Sequence, residues 1–124
     1  MKIGVLSDTH IPVTVKSLPP AIFDIFKDVD LILHAGDIVE LSVIDELRAI
    51  APVEAVAGNM DPLETQQALP AKKIIQIGKY RVGLMHGKFK IHEQHERLRN
   101  EFDAVDLIVY GHSHKPFWGK VNGV

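Results

Sequence analysis

The chain has 124 residues, enough for one hydrophobic core but not comfortably for two, and we predict a single domain over residues 1–124. Its 46% hydrophobic and 24% charged residues exclude a disordered chain, and its formal net charge of −2 argues against a generic nucleic-acid binder, which would be basic. The sequence contains no cysteine, which excludes disulfides and thiolate metal sites and suits a reducing cytosol.

The first residues contain one lysine and an apolar run that is too short for the core of a signal peptide. No run in the sequence approaches the ~18 apolar residues that a membrane span needs. We therefore predict a soluble, cytoplasmic protein without a membrane partner.

Short β-type runs alternate with amphipathic stretches from the N-terminus onward. The first half of the chain contains, in order, a strand at 1–6, a helix at 21–29, a strand at 31–33, a helix at 41–50 and a strand at 53–57. Ser42 is the candidate cap of the second helix. Residues 60–71 carry two prolines and no periodic pattern, and we predict that they form a mobile loop.

The second half begins with a predicted hairpin, in which strands 73–77 and 80–85 are joined around Gly78 and Lys79. The elements that follow are a surface helix at 89–102 with Leu98 and Phe102 facing inward, a strand at 107–110 and a further candidate strand at 117–121. Strands that alternate with helices indicate an α/β fold with a mainly parallel sheet, and the hairpin indicates an antiparallel part.

Polar residues follow strand after strand at the point where each apolar run ends. The carboxyl ends of strands line the binding crevice of an open α/β sheet, so we expect these side chains to meet at one rim. The candidate metal ligands are Asp8, His10, Asp37, Asn59, His86, His112 and His114.

Histidine, aspartate and asparagine are nitrogen and oxygen ligands that suit manganese, iron, nickel, cobalt or zinc. One metal rarely needs so many ligands, whereas two metals about 3.5–4 Å apart with one bridging carboxylate would use them all. Two divalent ions exceed the negative charge of Asp8 and Asp37, and the remaining positive charge suits an anionic phosphoryl group.

Each candidate also has a purely structural interpretation. Taken singly, Asp37 and Asn59 are explained as well by turn chemistry as by function. His112 and His114 stand two apart, a spacing that favours metal binding but that two solvated histidines would share. The metal hypothesis depends on the joint pattern of five strand ends that all carry ligand types.

Three other histidines are interpreted as non-ligands. His34 lies inside an apolar run and is predicted to be a core residue or a group that supports the ligands from behind. His92 and His95 lie in a charged helical stretch and are predicted to face solvent.

The ordered motifs D-x-H, G-D, G-N-x-D, H-G and G-H-S-H resemble those of the calcineurin-like metallophosphoesterases. The likeness is strongest to the small phosphodiesterases of the YfcE type, and it extends from Met1 to about Trp118. It implies a four-layer α/β/β/α sandwich with mixed sheets. It also implies a hydrolase that cleaves phosphodiester bonds with a hydroxide activated by a dinuclear metal centre.

The resemblance also implies how the ligands are shared. One metal is held by Asp8, His10 and His114, the other by Asn59, His86 and His112, and Asp37 bridges both. Asp37, Asn59 and His86 are the predicted catalytic residues. The expected cofactors are two Mn²⁺ or Ni²⁺ ions, with iron or zinc as alternatives, and the expected substrate is a small phosphoester.

Two departures from the family pattern stand out. Many relatives have a histidine that assists the leaving group at the position of Met60, so alkoxide leaving groups should react poorly here. Relatives also continue past the G-H-x-H motif with further strands. We therefore expect that C-terminal strands of the fold are missing from this sequence.

Two alternatives to a phosphodiesterase stay open. The retromer subunit with this fold has lost ligands and acts as a non-catalytic scaffold, whereas both D-x-H and G-H-x-H are intact here. A phosphomonoesterase or nuclease would use the same centre. We expect no sequence-specific nucleic-acid binding, and a homo-oligomer is compatible with the sequence.

Overall fold

The structure is a computed structural model that describes residues 1–10, 17–88, 93–114, 117–121 and 123–124. The elements in chain order are β1 (Ile3–Leu6), α1 (Pro20–Ile25), β2 (Leu31–His34), α2 (Ser42–Arg48), β3 (Val53–Ala55), α3 (Leu63–Ala68), β4 (Lys72–Ile77), β5 (Tyr80–Met85), α4 (Gln94–Asn100) and β6 (Leu107–Tyr110).

The strands form two three-stranded sheets. The first sheet has the order β1-β2-β3 and is parallel throughout, whereas in the second sheet β5 pairs antiparallel with β4 and parallel with β6. The register brings the carboxyl ends of the parallel strands level, because His34 pairs with both Leu6 and Ala55, and Met85 pairs with Tyr110. Loops that leave these strands therefore start at the same edge of each sheet.

Three hydrophobic clusters separate four layers. Val43 and Leu47 of α2 pack on Ile32 on the outer face of the first sheet. Leu33 of the first sheet packs against Leu84 of the second, so the two sheets stack face to face. A third cluster joins α4 to the outer face of the second sheet through Leu98, Phe102, Met85 and Val105. The predicted four-layer α/β/β/α sandwich with mixed sheets is confirmed.

The helices are shorter than predicted, and one was missed. Residues 60–71, predicted as a mobile loop, contain the helix Leu63–Ala68, in which buried Thr65 donates a hydrogen bond to the Val39 carbonyl at 3.1 Å. A helix of this length has little stability of its own, so tertiary contacts stabilise it. The local sequence, which has no helical periodicity, therefore did not predict it.

Two further details of the prediction are wrong. Ser42 does not cap α2, because Leu41 occupies the cap position without a side-chain hydrogen bond, and the Ser42 hydroxyl contacts Glu40 instead. Residues 117–121 form no strand. The start of the predicted helix 89–102 lies outside the described residues, but the inward orientation of Leu98 and Phe102 is confirmed.

No helix within the described ranges has the length and apolarity that crossing a membrane would require.

Candidate metal centre

The predicted ligands all lie in loops at the carboxyl edges of the two sheets. Asp8 and His10 follow β1, Asp37 follows β2 and Asn59 follows β3 in the first sheet. The second sheet contributes the remaining three, His86 directly after β5 and His112 and His114 after β6. The site therefore bridges the two sheets, and neither sheet contains it alone.

The backbone around the site is strained. Non-glycine residues with positive φ are uncommon, and in the described part of the chain five of the six are predicted ligands. These five are Asp8 (56°), His10 (50°), Asp37 (57°), His112 (74°) and His114 (57°). Left-handed conformations cost on the order of 1 kcal/mol each and cluster where the surrounding structure holds functional side chains in place.

Asp8, His10, Asp37 and His114 form a first group of ligand atoms, which all lie within 4.8 Å of one another. His114 Nε2 lies 3.1 Å from Asp8 Oδ1, and His10 Nε2 lies 3.3 Å from Asp37 Oδ2. The His10 nitrogen is buried and makes no hydrogen bond to any residue that the structure describes. A buried ring nitrogen that faces two carboxylates without a hydrogen bond is typical of a metal-binding site.

His86, Asn59 and His112 form a second group next to the first. His86 Nε2 lies 2.9 Å from Asn59 Oδ1 and 3.1 Å from Asp37 Oδ2, and His112 Nδ1 lies 3.1 Å from Asn59 Oδ1. Asp37 thus contacts both groups through one oxygen, since Oδ2 faces His10 and His86. Its other oxygen, Oδ1, accepts a hydrogen bond from the Met60 backbone N–H at 2.7 Å.

The tautomer of His86 follows from its partners. The Ala35 carbonyl lies 2.8 Å from Nδ1 and can only accept, so Nδ1 carries the proton of the neutral ring. Nε2 then presents a lone pair toward the oxygens of Asp37 and Asn59, and the described residues place no donor between these three acceptor atoms. A divalent cation would relieve this repulsion, and a histidine oriented through its other nitrogen is the usual metal-binding arrangement.

The Asp8 carboxyl is held in its ionised form. Partial burial raises the pKa of Asp8, but the hydrogen bonds from the Ser7 hydroxyl and the His112 backbone N–H lower it by more, so the net pKa is below its usual value. The Ser7 hydroxyl donates at 2.6 Å and the His112 N–H at 3.2 Å, both to Oδ2. Oδ1 is left to face the histidine nitrogens.

Asp61 holds the two neighbouring loops of the first sheet together. Its carboxylate accepts hydrogen bonds from the backbone N–H groups of Asp37 (3.1 Å), Val39 (2.6 Å) and Gly58 (2.7 Å). It therefore acts on the loop of Asn59 through the backbone. Its position two residues after Asn59 in the sequence does not reveal this role.

Two buried polar side chains beneath the ligand loops hydrogen-bond to those loops, a supporting role that the sequence indicated for only one of them. Gln94, which begins α4, is 1% exposed and donates to the Gly111 carbonyl at 3.2 Å. His34 is fully buried and contacts the loops of Asp8 and Asp37, in line with its interpretation as a supporting group. For His34, the only sequence signal of this role was its position inside an apolar run. The burial of Gln94 was not predicted, because its neighbours in the sequence are charged.

The predicted exposure of His95 is wrong. Its Nε2 lies 2.6 Å from the Tyr110 hydroxyl and its ring stacks on Phe117 with centroids 3.8 Å apart. His92 lies outside the described residues. His95 does not join either ligand group.

The chain matches a family described as the calcineurin-like phosphoesterase superfamily domain over residues 1–124. A probable metallophosphoesterase of Methanothermobacter thermautotrophicus is 45% identical over 94% of this chain and 69% of its own length, and one of Methanocaldococcus jannaschii is 40% identical over 94% and 60%. A phosphodiesterase of the latter organism is 29% identical over 100% and 80%. The chain thus spans about two thirds of the first two relatives.

Solved structures with the same fold include vacuolar protein sorting 29 of Cryptosporidium parvum. It has a TM-score of 0.81 and 25% identity, and the match covers 98% of this chain and 69% of that one. The corresponding protein of Entamoeba histolytica, complexed with Zn²⁺, has a TM-score of 0.74 and 27% identity over 99% and 70%. A zinc-bound protein of this fold agrees with the donor set described above.

Proposed function

Since the chain belongs to the calcineurin-like phosphoesterase superfamily, we propose that it is a phosphodiesterase that works with two divalent metal ions. The observation that carries the proposal is the convergence of the His10 and His86 ring nitrogens on Asp37 Oδ2, with Asn59 Oδ1 beside His86. The phosphodiesterase of Methanocaldococcus jannaschii supports the reaction class. The nitrogen and oxygen donors suit Mn²⁺ or Ni²⁺, and iron or zinc would also fit.

The residues around Asp37 divide into two donor sets. Asp8, His10 and His114 would hold one ion, whereas Asn59, His86 and His112 would hold the other, with Asp37 shared. When bound, the ions supply Lewis-acid chemistry, which lowers the pKa of a water molecule and offsets negative charge on the phosphoryl group.

The side chains keep this arrangement ready before substrate arrives. His86 is fixed by the Ala35 carbonyl, and Asp37 is fixed by the Met60 N–H, so their ligand atoms need little reorganisation. Asn59 and His114 are exposed, which leaves one side of the site open to a phosphoester. In-line attack requires that the phosphorus reach this open side with its leaving group opposite the attacking oxygen.

Met60 limits the leaving groups that the site can expel. Its side chain is 50% exposed beside the site, and a thioether has no proton to donate to a departing alkoxide. Aryl esters and other good leaving groups, which need little protonation, are therefore the proposed substrates. A phosphomonoesterase activity would use the same donors, and substrate profiling separates the two.

The similarity to vacuolar protein sorting 29 favours a second candidate, a non-catalytic protein that acts through protein contacts. Two observations support the enzyme over the scaffold. Both D-x-H and G-H-x-H are intact, and the buried His10 nitrogen has no hydrogen-bond partner among the described residues, which leaves it available to a metal ion.

The test is Asp37→Asn, assayed on a chromogenic phosphodiester with Mn²⁺ together with elemental analysis of reconstituted protein. We expect two bound metals in the wild type and a loss of activity of at least about 100-fold in the variant. Asp24→Asn, in an exposed residue of α1, is the matched control and should behave as wild type. Activity of Asp37→Asn within a few-fold of wild type would contradict the bridging role, and fewer than two metals without turnover in wild type would favour the scaffold.

A further inference from the structure

His34 ends β2 inside the sandwich and makes one hydrogen bond at each ring nitrogen. Nδ1 lies 3.1 Å from the backbone nitrogen of Gly36, and Nε2 lies 3.1 Å from the Thr9 hydroxyl. Gly36 precedes Asp37, and Thr9 stands between Asp8 and His10. The ring therefore connects two of the three loops that carry the first group of ligand atoms, those after β1 and β2.

The direction of both bonds follows from chemistry. The Gly36 N–H can only donate, so Nδ1 accepts and the proton of the neutral ring is on Nε2. Nε2 then donates to the Thr9 oxygen. Burial agrees with a neutral ring, because desolvation lowers the pKa of His34 to about 3.

Thr9 lies between two ligand candidates, so a contact to its side chain affects both of them. Asp8 and His10 on either side adopt left-handed conformations with φ of 56° and 50°. Their backbone N–H groups donate to the Gly36 and Asp37 carbonyls at 2.8 and 3.0 Å, which fixes how far apart the loops are. Those bonds hold the loops through the backbone alone, whereas an anchored Thr9 side chain also restrains the segment between the two strained residues.

We propose that His34 is a positioning residue, which clamps Thr9 to the Gly36-Asp37 turn and so sets the geometry of the Asp8, His10 and Asp37 ligand atoms. The inference rests on the proposed function and deepens it, since it identifies what prepares the first metal position. His34 and Thr9 contribute no ligand atoms. Their effect appears in metal affinity, and catalysis changes only through metal occupancy.

The test compares metal affinity among matched variants. Thr9→Val removes the acceptor with little change in shape, Thr9→Ser keeps it, and His34→Asn keeps an acceptor for the Gly36 N–H but is too short to reach Thr9. His95→Gln removes a histidine hydrogen bond that touches neither loop. Mn²⁺ binding to metal-free protein is measured by calorimetry, folding by circular dichroism, and hydrolysis of the chromogenic diester as a function of Mn²⁺ concentration.

We expect Thr9→Val and His34→Asn each to weaken Mn²⁺ binding at one position about 10-fold or more, as substitutions behind metal ligands do. Thr9→Ser and His95→Gln should stay within about 3-fold, and the Thr9→Val/His34→Asn double variant should be no weaker than either single variant, because both remove one contact. kcat at saturating Mn²⁺ should return close to wild type. A purely structural role would lower the melting temperature without this shift in Mn²⁺ dependence.

The outcomes separate the two proposals. Wild-type protein that binds two Mn²⁺ ions without hydrolysis contradicts the phosphodiesterase, while the affinity series still supports or overturns the clamp. Wild-type affinity in folded Thr9→Val, or effects that multiply in the double variant, would overturn the clamp and leave the proposed function intact. Absence of Mn²⁺ binding in wild type would overturn both.

Discussion

At the scale of single residues, the site depends on groups that hold backbone rather than on the ligands alone. Gly36 illustrates the closeness of the packing, because its φ is +96° and a Cβ atom there would lie 2.8 Å from the Cβ of His86. A side chain at this position would both strain the backbone and displace a ligand candidate. The glycine of the G-D motif is thus required by the lack of room for a side chain and by the positive φ, and the aspartate by its role as a candidate ligand. The sequence pattern alone does not distinguish these reasons.

Asp61→Asn tests the same idea at the other loop. The carboxylate accepts three backbone N–H groups, and an amide would place its own N–H₂ against at least one of them. We expect a loss of about 1–3 kcal/mol in the free energy of unfolding, measured by urea titration, together with weaker Mn²⁺ binding.

Asp45→Asn is the matched control for this substitution. Asp45 is 76% exposed and makes only a surface contact with Arg48, so its unfolding free energy should change by less than about 0.5 kcal/mol. Equal stability of Asp61→Asn and wild type would show that the three N–H groups find other partners.

At the scale of elements, the strand ends were predictable and the supports beneath them were not. The apolar runs identified every described strand within a few residues, and the residues that follow them give the site its candidates. Short helices such as α3 escaped prediction because contacts like that of Thr65 with Val39 stabilise them rather than local propensity. The start of α4 was placed in a surface helix, although Gln94 is buried under the second-sheet loops.

Gln94→Leu tests whether α4 supports the ligand loops. The substitution keeps side-chain volume but removes the donor to the Gly111 carbonyl, which precedes His112. We expect a loss of about 0.5–1.5 kcal/mol in unfolding free energy, because the Gly111 carbonyl keeps only its hydrogen bond from the Ser113 N–H, and Mn²⁺ binding weaker than in wild type.

Gln76→Leu provides the comparison for Gln94→Leu. Its amide donates to the Gly78 carbonyl in the exposed hairpin turn, away from the ligand loops. Calorimetry should therefore give wild-type Mn²⁺ affinity for this variant. If both variants bound Mn²⁺ equally well, α4 would have no part in preparing the site.

At the scale of the whole molecule, the site joins parts of the chain that are far apart in sequence. His114 and Asp8 are 106 positions apart and their side chains meet at 3.1 Å, and His86 of the second sheet contacts Ala35 of the first. The motif order in the sequence predicted the fold and the candidates, because both follow from strand ends. The left-handed backbone and the tautomers of His34 and His86 could not be predicted, since they arise only when the two sheets are stacked.

This arrangement predicts that metal binding stabilises the whole fold. The unfolded chain cannot gather ligands from both sheets, so ions that bind the native state shift the unfolding equilibrium by mass action. At a free Mn²⁺ concentration about 100 times the dissociation constant, the gain is about 2.7 kcal/mol per site. For a domain of this size, we expect the melting temperature to rise by about 10 °C per occupied site between chelator and Mn²⁺, measured by scanning calorimetry. Asp37→Asn should lose most of this rise, because Asp37 Oδ2 faces both donor sets. An unchanged melting temperature in wild type at saturating Mn²⁺ would mean that the ions do not link the two sheets.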